Sequence, residues 1–113
     1  VASPGMLYKH YAPVTETFLV EGDSGSFADF VNIKDNCAAI CFEDDFAAVK
    51  CKKISYGAKD NQSELAKNLF SALREVDKLG ADAVYVHAPD KNGVGLAVYN
   101  RLIRAAQFKV IKL

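Results

Sequence analysis

Residues 62–88 decide the fold, and they read QSELAKNLFSALREVDKLGADAVYVHA. From Gln62 to Leu79, large apolar residues recur every three or four positions, which predicts one long helix with a single apolar face. Gly80 follows at the position where helices commonly end. The apolar run Ala83–Ala88 then predicts a strand. A helix that leads directly into an apolar strand is the repeating unit of a parallel α/β sheet.

The same alternation continues toward the carboxyl end. Residues 89–93, PDKNG, predict a turn. Apolar residues at helical spacing then predict a helix over Val94–Ala106, with Val94 on its apolar side. The last residues, Val110–Leu113, predict a final strand.

Toward the amino end, the pattern predicts a strand over Thr15–Val20 and a helix that starts at Ser26 and closes at residues 35–36. The continuous apolar run Cys37–Phe42 predicts a strand that is covered on both faces. Residues 46–56 allow two interpretations, either a helical turn followed by a strand near Lys52–Tyr56 or one long strand over 48–54. We favour the first.

The predicted order is therefore β, α, β, a short element, β, α, β, α, β. This order predicts an α/β fold, a Rossmann-like three-layer sandwich with a mostly parallel sheet of about five strands. The pattern does not fix the order of the strands within the sheet.

The length and charge balance of the chain limit the kinds of molecule to which it is expected to bind. The chain has 113 residues, enough for one domain, and 14 basic residues balance 14 acidic ones. We therefore expect no direct nucleic-acid binding, and no apolar run is long enough to suggest a membrane partner. The chain starts at Val1 rather than Met and has no secretory signal, so we expect a piece of a longer, cytoplasmic protein.

The three cysteines are Cys37, Cys41 and Cys51. An odd number without a paired spacing argues against a disulfide framework. We expect small, buried apolar side chains that remain reduced, and no metal site.

In a parallel sheet, ligands bind beyond the carboxyl ends of the strands. Four predicted loops lie there, Glu21–Ser26, Glu43–Asp45, Gly57–Asn61 and Ala88–Gly93. The first matches neither the dinucleotide fingerprint nor the P-loop, so a capped helix start is favoured over a phosphate site. The second is interpreted as a solvated helix cap rather than a weak cation site.

Two further features lie near the same edge. Gly93 and Gly95 are interpreted as allowing the helix to pack close to the sheet, with approach to a ligand as the alternative. His87 stands without a neighbouring nucleophile or partner in the sequence, so it is at best a weak candidate base. No catalytic residue is predicted within residues 14–113.

Residues 3–13, SPGMLYKHYAP, hold the densest group of polar and aromatic side chains. Tyr8, His10 and Tyr11 have rings that can stack on a base, and Lys9 can pair with a phosphate. Alternatively, the rings of this segment pack on the domain that follows.

This segment resembles the interdomain motif of two-domain threonylcarbamoyl-AMP synthases. Residues 64–79 are similar to the long helix of the family's C-terminal domain, and residues 93–102 are similar to its last helix. Lys9 stands where that family usually has arginine, and Leu7 where it usually has lysine. Lysine lacks the planar fork with which arginine holds a phosphate.

The resemblance implies an interdomain linker at residues 1–13 and a Rossmann-like accessory domain at residues 14–113. The full protein would make threonylcarbamoyl-adenylate for tRNA modification as a nucleotidyltransferase, with ATP and magnesium. Catalysis would lie in a YrdC-like domain of the same polypeptide, and this chain would hold no cofactor. Its linker would close the cleft through Tyr8, Lys9, His10 and Tyr11. The alternative is a stand-alone module that binds a small ligand or nucleotide.

Overall fold

A computed structural model describes residues 13–113, and over this range five strands form one sheet that is parallel throughout. The strands are β1 Glu16–Glu21, β2 Cys37–Cys41, β3 Lys52–Ser55, β4 Ala83–His87 and β5 Val110–Lys112. The α-helices are α1 Ser24–Asn32, α2 Gln62–Val76 and α3 Val94–Ala105, with 3₁₀ turns at Glu43–Asp45 and Asp77–Leu79. The predicted α/β class and the number of strands are confirmed.

The strand order is β3-β2-β4-β1-β5. The crossover from β1 to β2 therefore runs toward the β3 edge of the sheet. The crossovers from β3 to β4 and from β4 to β5 run the opposite way, toward the β5 edge. Because such crossovers are right-handed, α1 covers one face of the sheet, and α2 and α3 cover the other. Helices α2 and α3 pack on each other.

Each face of the sheet carries its own hydrophobic core. Under α2 and α3, the buried residues include Leu65, Leu69, Leu73, Val98, Leu102, Ile40 and Val86. Under α1, they include Phe27, Val31, Val20, Ala39 and Cys41. All of β2 is buried, so the prediction of a strand covered on both faces is confirmed. The predicted apolar face of the long helix is confirmed as well.

The bounds of α1 differ from the prediction. The helix starts at Ser24, and Asp23 is its N-cap, because Asp23 Oδ1 accepts the backbone N–H of Ser26 at 2.7 Å. The predicted start at Ser26 is therefore wrong by less than one turn. The helix also ends at Asn32, before the predicted close at residues 35–36. Asn36 instead turns the chain into β2 with φ 46°.

Two further predictions have different outcomes. The favoured interpretation of residues 46–56 is a helical turn followed by a strand near Lys52–Tyr56. The strand is confirmed, since β3 spans Lys52–Ser55. Val94, in contrast, is 45% exposed and does not lie on the apolar face of α3. The buried position belongs to Gly95, one residue later, which contacts Gln62 of α2.

Candidate functional site

A crevice opens between the carboxyl ends of β1 and β4. The chain leaves these neighbouring strands toward opposite faces of the sheet, so the loops that follow them separate. Ligands of open α/β sheets bind at this kind of switch point. The crevice has a volume of about 500 Å³ and is lined by residues 21–23, residues 87–91 and Lys59.

His87, the last residue of β4, is buried against this crevice. Its Nδ1 lies 2.6 Å from Oδ2 of Asp45, and its Nε2 lies 2.7 Å from the carbonyl oxygen of Gly22. The two partners are a carboxylate oxygen and a backbone carbonyl oxygen, so both ring nitrogens are engaged by oxygen atoms of the chain. Phe27 stacks on the ring with centroids 4.4 Å apart. The expectation that His87 has no partner is therefore wrong.

Asp45 comes from the 3₁₀ turn after β2 and is 1% exposed. Its Oδ2 also accepts the backbone N–H of Phe42 at 3.0 Å. Burial alone would raise the pKa of Asp45, but the hydrogen bond from His87, a contact with Ser24 and the His87 charge hold that pKa below its ordinary value. Its Oδ1 has no hydrogen bond of good geometry. Asp45 is thus a buried anion, and the prediction of a solvated turn is wrong for it.

Tyr56, directly after β3, joins the same network. Its hydroxyl donates to the carbonyl oxygen of His87 at 2.7 Å, and burial raises the pKa of Tyr56 well above its ordinary value. The network thus links the carboxyl ends of all four strands from β1 to β4, through Gly22, Asp45, Tyr56 and His87 respectively. Both His87 ring nitrogens already contact oxygen atoms of the chain, so neither is free to accept a proton from a substrate.

The outer wall of the crevice carries a second network. Glu21 accepts a short hydrogen bond from the Tyr99 hydroxyl of α3, and Lys91 Nζ lies 3.2 Å from Glu21 Oε2. The hydrogen bond from Tyr99, supported by Lys91 and Lys112, lowers the pKa of Glu21 against the effect of burial. Lys91 also lies over the Tyr99 ring, 4.6 Å from its centroid. These charges are therefore paired within the domain.

The amino terminus of α1 faces the first loop, where an anion would be expected to bind. The Asp23 carboxylate already occupies this position as the N-cap. The hydrogen bond from the Ser26 backbone lowers the pKa of Asp23, so the cap is ionised at neutral pH. This agrees with the interpretation of the loop as a capped helix start, with Asp23 as the capping residue.

Of the two glycines at the start of α3, Gly95 is the one in close contact with its neighbours. A Cβ on Gly95 would lie 2.2 Å from the carbonyl oxygen of Asp90 and 2.5 Å from Nε2 of Gln62. The Gly95 N–H donates to Gln62 Oε1 at 3.1 Å. Close packing is thus confirmed at Gly95, but its partners are the preceding loop and α2, whereas the prediction named the sheet.

The predicted linker contacts, Tyr8, Lys9, His10 and Tyr11, lie outside the described residues. At Pro13 the chain reaches the amino edge of the sheet, opposite the crevice. The Asp77 carboxylate accepts the backbone N–H groups of Val14 and Thr15 at 3.0 and 3.1 Å. Asp77 therefore fixes the direction in which the chain enters β1.

Sequence reasoning missed Asp45 and Tyr56 as partners of His87. The available signal was that Asp45 comes shortly after β2, Tyr56 comes directly after β3, and His87 ends β4. To predict that Asp45 and Tyr56 contact His87, the order of the strands in the sheet would also have been needed. Within residues 13–113, no group of three or more potential ligands could hold a metal ion, and no helix is long and apolar enough to cross a membrane.

The fold and the crevice define a Rossmann-like α/β domain whose polar groups are largely paired with one another. Residues 1–107 match the family model described as "Threonylcarbamoyl-AMP synthase, C-terminal domain". The chain belongs to this family.

Curated relatives agree with this assignment. The chain is 36% identical, over 98% of its length, to threonylcarbamoyl-AMP synthase of Pyrococcus abyssi, of which it covers 34%. It is 31% identical, over 92% of its length, to the Schizosaccharomyces pombe protein of the same name, of which it covers 29%. The chain thus spans about a third of these relatives.

Solved structures show the same fold. The P. abyssi Sua5 protein complexed with L-threonine matches with a TM-score of 0.69 and 31% identity, over 98% of this chain and 34% of that one. The C-terminal Sua5 domain from Pyrococcus horikoshii matches with a TM-score of 0.65 and 31% identity, over 90% of this chain and 100% of that one. The second match is to a domain that forms a structure on its own.

Proposed function

We propose that this chain is the non-catalytic accessory part of a cytoplasmic threonylcarbamoyl-AMP synthase. The whole protein would join threonine, bicarbonate and ATP and release pyrophosphate, as a nucleotidyltransferase that supplies tRNA threonylcarbamoyladenosine. ATP and magnesium would be bound by a YrdC-like domain of the same polypeptide. Family membership supports this proposal, as does the threonine complex of the P. abyssi relative, of which the chain covers only a third.

The observation that carries the accessory role is the pairing of polar groups at the crevice. Both ring nitrogens of His87 contact acceptors of the chain, Asp23 caps α1, and Glu21 is held by Tyr99 and Lys91. A nucleotide or amino acid would have to break these contacts before it could bind. A stand-alone ligand-binding module is therefore not favoured.

The linker, residues 1–13, is proposed to contribute to the catalytic cleft through Tyr8, Lys9, His10 and Tyr11. Thirteen extended residues span at most about 45 Å, enough to reach a neighbouring domain from the amino edge of the sheet. A solved structure of a P. abyssi Sua5 variant has alanine in place of an adjacent histidine and tyrosine. In the present sequence a His-Tyr pair occurs at His10-Tyr11.

The test uses the full-length protein and pyrophosphate release with threonine, bicarbonate, ATP and magnesium. His10→Ala and Tyr11→Ala are expected to lower kcat/KM by about tenfold or more, the size of one lost interaction that forms in the transition state. Lys59→Ala, on the wall of the crevice, is the matched control and should leave activity unchanged. If only Lys59→Ala lowered activity, the crevice would be the functional site and the proposal would fail.

A second experiment separates the two candidate functions. Amide NMR of this chain alone, titrated with ATP, threonine, bicarbonate and magnesium, should show no shifts, and no pyrophosphate should form. Saturable shifts confined to residues 21–26 or 88–95 would instead indicate an independent binding site at the crevice.

A further inference from the structure

Two of the three cysteines lie side by side at the amino ends of neighbouring strands. Ala38 of β2 and Lys52 of β3 are paired in register, so Cys37 and Cys51 stand opposite each other one position earlier. The Cys37 thiol donates to the carbonyl oxygen of Val31 at 3.5 Å, and Cys37 and Cys51 both pack in the core under α1. Both side chains thus point to the α1 face of the sheet.

This arrangement brings the two thiols within reach of a covalent bond. Opposed residues on neighbouring strands lie about 4.8 Å apart, and disulfides join residues whose Cα atoms are about 4.4–6.8 Å apart. Cys51 is half-buried, whereas Cys37 is 4% exposed. The third cysteine, Cys41, is completely buried four residues further along β2. Cys51 is therefore the thiol that a reagent would meet first.

A cavity of about 330 Å³ opens directly at this pair. None of the residues that line it is acidic, and three are lysines, Lys34, Lys50 and Lys52. The Lys52 ammonium donates to the carbonyl oxygen of Leu79 on the other face of the sheet, so the positive charge at the cavity comes from Lys34 and Lys50. Such a surface attracts small anions and disfavours cations. The reactive partner should accordingly be negatively charged.

We propose that Cys51 and Cys37 form a redox-active pair that is oxidised by small anionic disulfides of the glutathione type. The Cys51 thiolate attacks one sulfur of the disulfide, a mixed disulfide forms, and the first thiolate leaves and takes up a proton. The Cys37 thiolate then attacks the Cys51 sulfur, and the second thiolate leaves. Two protein thiols lose two electrons and two protons, and one small disulfide becomes two thiols.

The rate of the first step is limited by ionisation. Burial and the neighbouring Cys37 thiol raise the pKa of Cys51 to about 12, so few thiolates exist at neutral pH. Oxidation should therefore be slow and should speed up about tenfold per pH unit between pH 7 and 9. A slow reaction of this kind would respond to sustained oxidation rather than to brief exposure.

The test treats the folded chain with oxidised glutathione at pH 8, followed by alkylation and peptide mapping. A peptide that links Cys37 to Cys51, reversible by dithiothreitol, is the expected product. Cys37→Ser should stop the reaction at a Cys51–glutathione adduct, and Cys41→Ala, the matched control, should leave the link intact. If the link formed only in urea, or joined Cys41 instead, the folded geometry would not support the pair.

A second measurement tests the role of charge. Oxidised glutathione, which is anionic, should react severalfold faster than the dication cystamine, and Lys50→Gln should reduce this difference. Equal rates for the two reagents would refute the selectivity for anions. Phenylarsine oxide, which bridges two thiols, should bind the native chain and fail to bind Cys51→Ser, whereas binding to that variant would contradict the pairing of Cys37 with Cys51.

Discussion

Replacement of Asp45 by alanine should remove most of the stability that the buried polar network provides. The Asp45 carboxylate accepts from the backbone N–H of Phe42 and from Nδ1 of His87, at 3.0 and 2.6 Å. In Asp45→Ala the backbone N–H of Phe42 and the Nδ1 of His87 both remain buried without this partner. The neighbouring Phe27 ring cannot compensate for either loss.

The expected cost can be worked out in two ways. Each unsatisfied buried donor costs about 1–3 kcal/mol, so two cost about 2–6 kcal/mol. Removal of one partner of a buried ion pair typically costs about 3–5 kcal/mol. Both routes give about 4 kcal/mol, a large fraction of the 5–15 kcal/mol, approximately, that stabilises an ordinary domain.

Urea unfolding followed by far-UV circular dichroism measures this loss. With a slope of about 1.5 kcal/mol per molar urea, the midpoint should fall by about 2–3 M. Glu75→Ala is the matched control, because its partner Lys78 lies 2.8 Å away in an exposed pair that contributes at most about 1 kcal/mol. Asp45→Asn preserves the volume of the side chain and keeps the test valid if the alanine variant does not fold.

The dependence of stability on pH tests the same contribution of Asp45 independently. The pKa of Asp45 is lower in the folded protein than in the unfolded chain, so its contribution is fully present above the unfolded value of about 3.9. That contribution is lost as the pH falls through the folded pKa. In a plot of the free energy of unfolding against pH, the acid limb, where stability falls as the pH decreases, should therefore be flatter for Asp45→Asn than for the wild type. A cost below about 1 kcal/mol with native spectra, or an unchanged acid limb, would refute the reasoning.

Three further predictions concern the core, the helix contact and the chain entry. Leu69→Ala, at a fully buried position, should cost about 2–5 kcal/mol in thermal unfolding. Gly95→Ala should lower the free energy of unfolding by more than 1 kcal/mol or so, because its Cβ would lie 2.2 Å from a carbonyl oxygen of the preceding loop. Asp77→Ala should accelerate hydrogen exchange at Val14 and Thr15 by about tenfold, since each loses its acceptor, with core amides as the internal control.

Local patterns in the sequence predicted most of the elements. The helical spacing of residues 62–79 identified α2 and its buried face, and the unbroken apolar run 37–42 identified β2 as a strand covered on both faces. Each signal depends on neighbours within one or two turns or on alternation along one strand. The resemblance of the chain to its family rested on the same short stretches.

The bounds of α1 were less well predicted for an equally local reason. Asp23 and Ser26 both suit a helix cap, and composition does not rank them. In the structure Asp23 is the cap, and Phe27, in the first turn of the helix that it begins, faces the sheet and stacks on His87. Tertiary packing thus chose between two locally acceptable starts.

By itself the sequence determined the α/β class, the number of strands and the family, because these follow from periodicity and motifs along the chain. Only the tertiary structure decided the strand order, and with it the contact of His87 with Asp45, 42 residues away, and the placement of Cys37 opposite Cys51. These contacts depend on which strands become neighbours. That choice is made by the packing of both cores at once, which no local pattern records.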